Sequence, residues 1–129
     1  MNNSLQKLLS KQIEGEVRFD SYSLALYSTD ASLYQITPIG VVIPHHKVDV
    51  LRTIQVCYDQ NVPVLPRGGG TSLAGQAVGK AVVIDMSKYM NGIVEVNAEE
   101  RWARVQPGIV LDELNHHLKS YGLMYAPDV

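Results

Sequence analysis

Pro63-Val64-Leu65-Pro66-Arg67-Gly68-Gly69-Gly70-Thr71-Ser72-Leu73-Ala74-Gly75-Gln76 is the stretch that decides how this chain is read. An apolar strand, Val62 to Leu65, runs into three consecutive glycines, a Thr-Ser pair and a fourth glycine. Three glycines in a row are entropically costly in any regular element, so they serve a bend, a close backbone approach, or both. Without Cβ atoms the chain turns through positive φ and points successive N–H groups into one concavity, a nest suited to phosphate or pyrophosphate. Arg67 adds a fixed positive charge, and Thr71 and Ser72 add hydroxyl donors. These residues point to a nucleotide cofactor.

Two familiar phosphate loops do not match. The P-loop spacing G-x-x-x-x-G-K-[ST] comes closest at Gly79-Lys80, but Ala74 stands where the first glycine belongs and Ala81 replaces the magnesium-binding hydroxyl. The dinucleotide fingerprint G-x-G-x-x-G fails because Leu73 occupies the third glycine position. That fingerprint also follows the first strand of a βαβ unit, whereas this loop follows the second. A loop that is glycine-rich only for flexibility would be flanked by polar residues; this one is framed by Pro63, Pro66 and apolar strands at Val62–Leu65 and Ala81–Ile84.

Outward from the loop, Gly40-Val41-Val42-Ile43 is a short strand closed by Pro44. Lys47 to Gln60 reads as a helix with Val48, Leu51, Ile54 or Gln55, and Tyr58 along one face. Strand, helix and the Val62–Leu65 strand form a βαβ pattern, which makes the strands parallel with a right-handed crossover. Ala81–Met86 is a third buried strand, its apolar run continuous rather than alternating. Ile93–Val96 and Arg101–Gln106 do alternate, joined by the turn-length Asn97-Ala98-Glu99-Glu100, and read as a half-exposed hairpin. After Pro107-Gly108, Val110, Leu111, Leu114, His117 or Leu118, and Tyr121 mark a second amphipathic helix stopped by Gly122, and Leu123–Ala126 reads as the start of another strand. At the other end, Leu5, Leu8, Leu9, Gln12 and Ile13 define a first helix, capped at Asn3 or Ser4 and stopped at Gly15. Residues 16–37 keep no period and read as an irregular lead-in with one helical turn near Ser23–Leu26.

The 129 residues make one ordinary domain or less, with 46% apolar and 19% charged residues, as in a globular chain. A net charge of −2 gives no electrostatic case for nucleic acid or an anionic membrane. The single cysteine, Cys57, excludes an internal disulfide framework and reads as a buried, inert thiol on the long helix. Residues 1–15 contain no secretory apolar stretch, and no segment approaches the roughly 20 apolar residues of a membrane span. A cytoplasmic location is expected.

The segment from Pro66 to Gln76 resembles the pyrophosphate loop of flavin oxidoreductases of the vanillyl-alcohol oxidase/p-cresol methylhydroxylase (PCMH) fold, in the branch of D-lactate dehydrogenase and glycolate oxidase FAD subunits, which includes forms fused to iron–sulfur modules. Family-like stretches at Thr29-Asp30-Ala31-Ser32-Leu33-Tyr34, Val42-Ile43-Pro44, Val83-Ile84-Asp85-Met86-Ser87, Val105-Gln106-Pro107-Gly108 and Ala126-Pro127-Asp128 follow in the same order. The resemblance implies an α+β, FAD-binding PCMH-type domain: a βαβ subdomain of short parallel strands with flanking helices, then the first antiparallel strands of a second subdomain, cut short at Val129. Residues 1–36 are expected as an N-terminal helix and lead-in, and residues 37–129 as the N-terminal portion of the FAD domain.

By the same resemblance, Pro66, Arg67, Gly68, Gly69, Gly70, Thr71 and Ser72 hold the FAD pyrophosphate, and Gly75 and Gln76 close the loop. Pro107, Gly108, Pro127 and Asp128 are expected to lie along the cofactor, nearer its flavin or ribityl part. Some relatives bond flavin covalently through a His at the position of Thr71, so FAD is expected to be non-covalent here. The implied activity is oxidation of a 2-hydroxy acid such as D-lactate or glycolate, with catalytic residues and any iron–sulfur ligands beyond residue 129. The alternatives are a non-catalytic nucleotide-binding or assembly module, and a fragment that cannot bind FAD alone. An exposed half-cleft would favour self-association.

Other candidates carry less. His45-His46 and His116-His117 lack metal-ligand spacing, and adjacent helical residues do not share a face. Asp112-Glu113 suits a helix N-terminus. Asp85 contacts cofactor or caps a turn, the two readings standing level, and Trp102 is a packing residue on the hairpin. No catalytic or metal-binding residue is named.

Overall fold

The computed structural model describes residues 2–127. In chain order the elements are α1 (Asn2–Gln12), β1 (Glu16–Arg18), α2 (Ser21–Leu26), β2 (Gly40–Ile43), α3 (Lys47–Asp59), β3 (Val64–Arg67), β4 (Val82–Asp85), β5 (Ile93–Asn97), β6 (Trp102–Val105) and α4 (Leu111–Leu118), which tightens into a 3₁₀ turn at Lys119–Tyr121. One sheet has the order β1-β2-β4-β3; β5 and β6 form a second, two-stranded sheet. β4 runs parallel to both its neighbours, β1 is antiparallel to β2, and β5 is antiparallel to β6. The expected α+β division into a parallel-stranded half and an antiparallel half is the observed one.

Every residue of β2 and β4 is buried, because both faces of the sheet are covered. Val42 and Val82 join Leu5, Leu9 and Ile13 of the α1 region and Val56 and Cys57 of α3. Val41, Ile43 and Val83 project to the opposite face, towards Leu24, Tyr27 and Leu65. The period-two alternation of a strand thus serves two cores at once. Along β4, Val82 pairs with both Gly40 and Val64, so this strand sits between the two that α3 connects.

That insertion places the glycine loop. Residues 68–81 must carry the chain from the C-terminal end of β3 back to the start of its parallel neighbour β4. Such crossovers take a dozen or more residues and are usually helical; here the whole connection is irregular. Its first part lies at the C-terminal ends of the strands, where open parallel sheets bind ligands.

Four expectations are corrected. Within 16–37 there is a strand as well as a helix: β1 pairs Glu16, Val17 and Arg18 with Ile43, Val42 and Val41, and Asp20 caps α2 by accepting the Ser23 N–H at 2.8 Å. Three residues with one apolar side chain are too few to show a period. On α3 the buried face is Asp49, Thr53, Val56 and Cys57, while Val48, Leu51, Ile54 and Tyr58 are exposed. The reason is Asp49. Its carboxylate accepts the N–H groups of Glu14 (2.9 Å), Gly15 (3.0 Å) and His45 (2.9 Å), so a polar residue earns the buried position that apolar spacing assigned elsewhere. β3 begins at Val64 rather than Val62 and runs through Pro66 to Arg67. Finally, Leu123–Ala126 forms no strand; Asn115 brackets Tyr125, donating to its carbonyl (3.0 Å) and accepting its N–H (2.7 Å).

The hairpin turn and α4 lie where expected, but β5 carries an irregularity between Ile93 and Glu95, and Val110 and Tyr121 of the expected stripe are exposed. Asn97 ends β5 and accepts the Glu100 N–H at 3.0 Å, and Arg101 closes the turn with φ 57°. Trp102 is partly exposed and donates its indole N–H to Glu100 at 2.8 Å. Leu114 and Leu118 form the buried stripe of α4, and Gly122 stops the 3₁₀ turn in the left-handed conformation, φ 66°. No helix of the described residues is long and apolar enough to cross a membrane.

Candidate functional site

The N–H groups of Gly68, Gly69, Gly70, Thr71 and Ser72 donate to no acceptor among the described residues. Five consecutive free donors are unusual, since backbone N–H groups are nearly always paired, and such a row has the chemistry to accept an anion. The space beside them is open. A Cβ on Gly68 would meet nothing within 4 Å, and one on Gly69 only Thr71 Cγ2 at 3.6 Å. These two glycines therefore answer to no crowding within the protein; they leave room on the outside of the loop.

Gly70 and Gly75 are glycine for a different reason. Both have positive φ, 70° and 81°. A Cβ on Gly70 would collide with the Arg67 guanidinium, and one on Gly75 would stand 2.6 Å from Tyr34 Cδ2. Ser72 closes the loop internally: its hydroxyl accepts the N–H of Ala74 (3.3 Å) and of Gln76 (3.2 Å) and donates to Gln76 Oε1. That hydroxyl shapes the loop, while Thr71 stays exposed. Pro66 lies exposed in β3, paired with Ile84.

The underside of the loop is held by residues the sequence reading left in the lead-in. Ala31 N–H donates to the Gly70 carbonyl at 3.0 Å. Asp30 accepts the Ala77 N–H at 3.3 Å and the Ser32 N–H at 2.8 Å. Ser32 first, then the Ala77 N–H and the Arg67 charge, hold the Asp30 carboxyl below the ordinary carboxylate range. Arg67 donates to the Ala77 carbonyl at 3.0 Å, and its guanidinium lies 5.3 Å from the centre of the Tyr27 ring. The Asp30-Ala31-Ser32 turn was visible as a local signal; its contact with a loop some forty residues away was not.

Asp85 resolves towards the turn. Its carboxylate accepts the N–H (2.8 Å) and hydroxyl (2.6 Å) of Ser87 and the Tyr27 hydroxyl (2.5 Å). Burial, then this bond to Asp85, pushes the Tyr27 phenol well above its ordinary pKa.

Met86 ties the loop to the second candidate segment. Its N–H donates to the Arg67 carbonyl at 3.0 Å, and its carbonyl lies where a Gly108 Cβ would be. Gly108 is buried, donates to Met90 O at 2.8 Å, and admits no larger residue. Arg67 and Gly108 thus both contact Met86, just past the C-terminal end of β4, and Pro107 is exposed. Pro127 is exposed, and Asp128 lies outside the described residues.

The remaining candidates are structural. His45 stacks edge-on with Tyr89 at 4.4 Å, and His46 contacts Glu14 at 3.2 Å. His116 and His117 sit exposed in the last turn of α4, and no cluster of metal-ligating residues occurs among the described residues. Burial pushes the Cys57 thiol up to about 11, so it is protonated and unreactive at neutral pH. An open apolar groove of about 760 Å³ lies between β6, α4 and Leu123–Tyr125, away from the glycine loop.

The loop provides donors and a positive charge, and no nucleophile paired with a base. Its open donors and bare glycine faces have the chemistry a pyrophosphate would need, while the Arg67 guanidinium is engaged with the Ala77 carbonyl.

The chain is 38% identical to D-2-hydroxyglutarate dehydrogenase of Escherichia coli strain K12, over 98% of this chain and 13% of that protein. It is 34% identical to the glycolate oxidase subunit GlcD of Bacillus subtilis strain 168, over 91% of this chain and 26% of that protein. It therefore spans only a small part of these relatives. Among solved structures, alkyldihydroxyacetonephosphate synthase superposes with a TM-score of 0.82 at 23% identity, over 98% of this chain and 28% of that one. The p-cresol methylhydroxylase structure gives 0.79 at 19% identity, over 94% and 25%. These two show the fold. Residues 38–129 match the family described as FAD binding domain, and the chain belongs to that family.

Proposed function

We propose that this chain is the pyrophosphate-binding part of the FAD domain of a flavin-dependent oxidoreductase acting on a 2-hydroxy acid. The observation that carries the reading is the row of five unpaired N–H groups from Gly68 to Ser72 beside bare glycine faces, in a chain of the FAD binding domain family. Relatives named for D-2-hydroxyglutarate, D-lactate and glycolate share the 2-hydroxy acid group, which supports that substrate class.

In this reading Gly68–Ser72 hold the phosphates through their N–H groups, Gly75 and Gln76 keep the loop closed, and Gly108 lets the following segment approach along the cofactor. Bound FAD supplies the electron-accepting flavin. This chain's residues bind and orient. With Thr71 in the loop and no His or Cys between residues 66 and 81, attachment is non-covalent. We assign the protein to the cytoplasm, and iron–sulfur ligands, where the encoded protein has them, to sequence outside these residues. Self-association of the 129-residue chain belongs to the same reading, because the two-stranded sheet leaves strand edges open beside an apolar groove.

The test is to mix the protein at its encoded length with FAD or with riboflavin, desalt, and record flavin absorbance. Retained FAD with little retained riboflavin is the expected result. Equal retention of both would overturn the pyrophosphate assignment, and retention of neither would overturn the cofactor. Reduction of the bound flavin by D-2-hydroxyglutarate, D-lactate or glycolate then tests the substrate class.

A further inference from the structure

We propose that Arg67 is a positioning residue, whose guanidinium clamps the glycine loop from below instead of contacting the bound anion, and that Tyr27 and Asp85 hold the clamp in place. The inference rests on the reading of the loop as a pyrophosphate site and concerns how its shape is maintained.

The geometry is one of a closed ring. Arg67 ends β3, and its side chain turns back under the loop to donate to the Ala77 carbonyl at 3.0 Å. On the way it fills the space a Gly70 Cβ would need, with Cζ 2.9 Å and Nε 3.1 Å from that position. The positive φ of Gly70 and the path of the arginine are therefore one feature: the loop arches over the guanidinium. Beneath it lies the Tyr27 ring, with the cation 5.3 Å from the ring centre. The Tyr27 hydroxyl is fixed by Asp85, whose carboxylate is in turn fixed by Ser87.

The Ala77 peptide is gripped at both ends, its carbonyl by Arg67 and its N–H by Asp30, and the Gly70 carbonyl is gripped by Ala31. The two clamped points, Gly70 and Ala77, flank the turn at Ser72–Gln76. The N–H groups of Gly68–Ser72 take no part in these contacts. A guanidinium suits the task because it is a planar fork that both stacks and donates; an ammonium would keep the charge and lose the plane.

The expectation is specific. Arg67→Lys retains the charge but weakens FAD binding about tenfold, as Arg67→Met does. Tyr27→Ala reproduces most of that loss, and Tyr27→Ala with Arg67→Met is little worse than Arg67→Met alone, because the two act as one unit. Titration of FAD into the encoded-length protein, followed by flavin fluorescence, reads these values. Near-native affinity in Arg67→Lys combined with additive Tyr27 and Arg67 effects would overturn the proposal in favour of a direct charge contact. Amide hydrogen exchange in the ligand-free protein gives a second, independent readout. The Ala31 and Ala77 N–H groups are bonded across the clamp and should exchange faster in Arg67→Lys and Tyr27→Ala while β2 and β4 amides do not change. Unchanged exchange at Ala31 and Ala77 would sink the clamp. Should the native protein bind no FAD, the functional reading fails, and the exchange experiment still decides the clamp.

Discussion

The β1-β2-β4-β3 sheet and the β5–β6 hairpin lie in one chain but are stabilised in opposite ways. In the sheet, every residue of β2 and β4 is buried, and both faces are covered by helices. In the hairpin no residue is fully buried, Val94 is 60% exposed, and the turn is held by side chains of its own, Asn97, Glu100 and Trp102. A two-stranded hairpin is marginal alone. The glycine loop hangs from the buried half, where Arg67 over Tyr27, Asp30 and Ala31 contact it. The hairpin half contributes an open apolar groove. Precision at the donors thus comes from burial, and the accommodating surface comes from its lack.

The contrast is sharpest in two aspartates at helix starts. Asp49 is fully buried in the first turn of α3 and accepts three backbone N–H groups, which bind the α1–β1 turn to the β2–α3 turn. Burial alone would raise its pKa; the bonds from Glu14, His45 and Gly15, with the His46 charge, outweigh this and hold it below the ordinary value. Asp112 is exposed in the first turn of α4. Asp49→Ala strands several donors and should cost about 3 kcal/mol or more, at ~1–3 kcal/mol per donor left unpaired. Asp112→Ala forfeits only a helix-dipole contact of about 0.3–1 kcal/mol. Urea unfolding of the two variants measures the difference. Equal midpoints would break the distinction between the halves.

The same residue marks what the sequence made legible. β2 and β4 were readable because their burial is written in local apolar patterns, Val41-Val42-Ile43 and Val82-Val83-Ile84 running continuously, whereas the hairpin was readable from its turn and from the alternation of Trp102–Val105. The apolar stripe of α3 misled, because Asp49 and Thr53 occupy the core through hydrogen bonds that only the tertiary fold supplies. The glycine loop was readable as open, unpaired backbone because a run of glycines is itself the signal. Its brace was not, since Tyr27, Asp30 and Arg67 come together only when α2 docks on the sheet.

Glu16 lies on the seam between the halves and gives a middle-sized effect. This β1 carboxylate binds Lys88 and accepts from Tyr89 Oη at 2.7 Å, in the segment that leads from β4 to the hairpin, and also binds Arg18. Lys88 first, then Tyr89 and Arg18, lower its pKa to about 2. A carboxylate whose folded pKa is depressed contributes stability that is fully present above its unfolded value, about 4.3, and is lost as pH falls through the folded value. The thermal midpoint should therefore hold from neutral pH to about 5 and fall from there towards 2, and Glu16→Gln should start lower at neutral pH and fall less steeply. Parallel curves for the two proteins would remove the seam as a source of acid sensitivity. Salt should reduce the effect, because the Lys88 partner is exposed.

Gly69→Val should have the smallest effect on stability and a large effect on binding. A Cβ at Gly69 meets only Thr71 Cγ2 at 3.6 Å, and this glycine lacks the positive φ that makes Gly70 irreplaceable. The melting temperature should stay within a degree or two of native, as for surface substitutions worth about 0.5 kcal/mol or less. The new side chain, however, occupies the open face beside five free N–H groups, where an anion must come within about 3 Å of nitrogen to be bound. FAD affinity should then fall further than in Arg67→Ala, which loosens the loop but leaves its donors accessible. A larger loss in Arg67→Ala would mean that the guanidinium, and not the row of N–H groups, is the principal holder of the phosphates. The division between a rigid base and an open donor face would then have to be redrawn around Arg67.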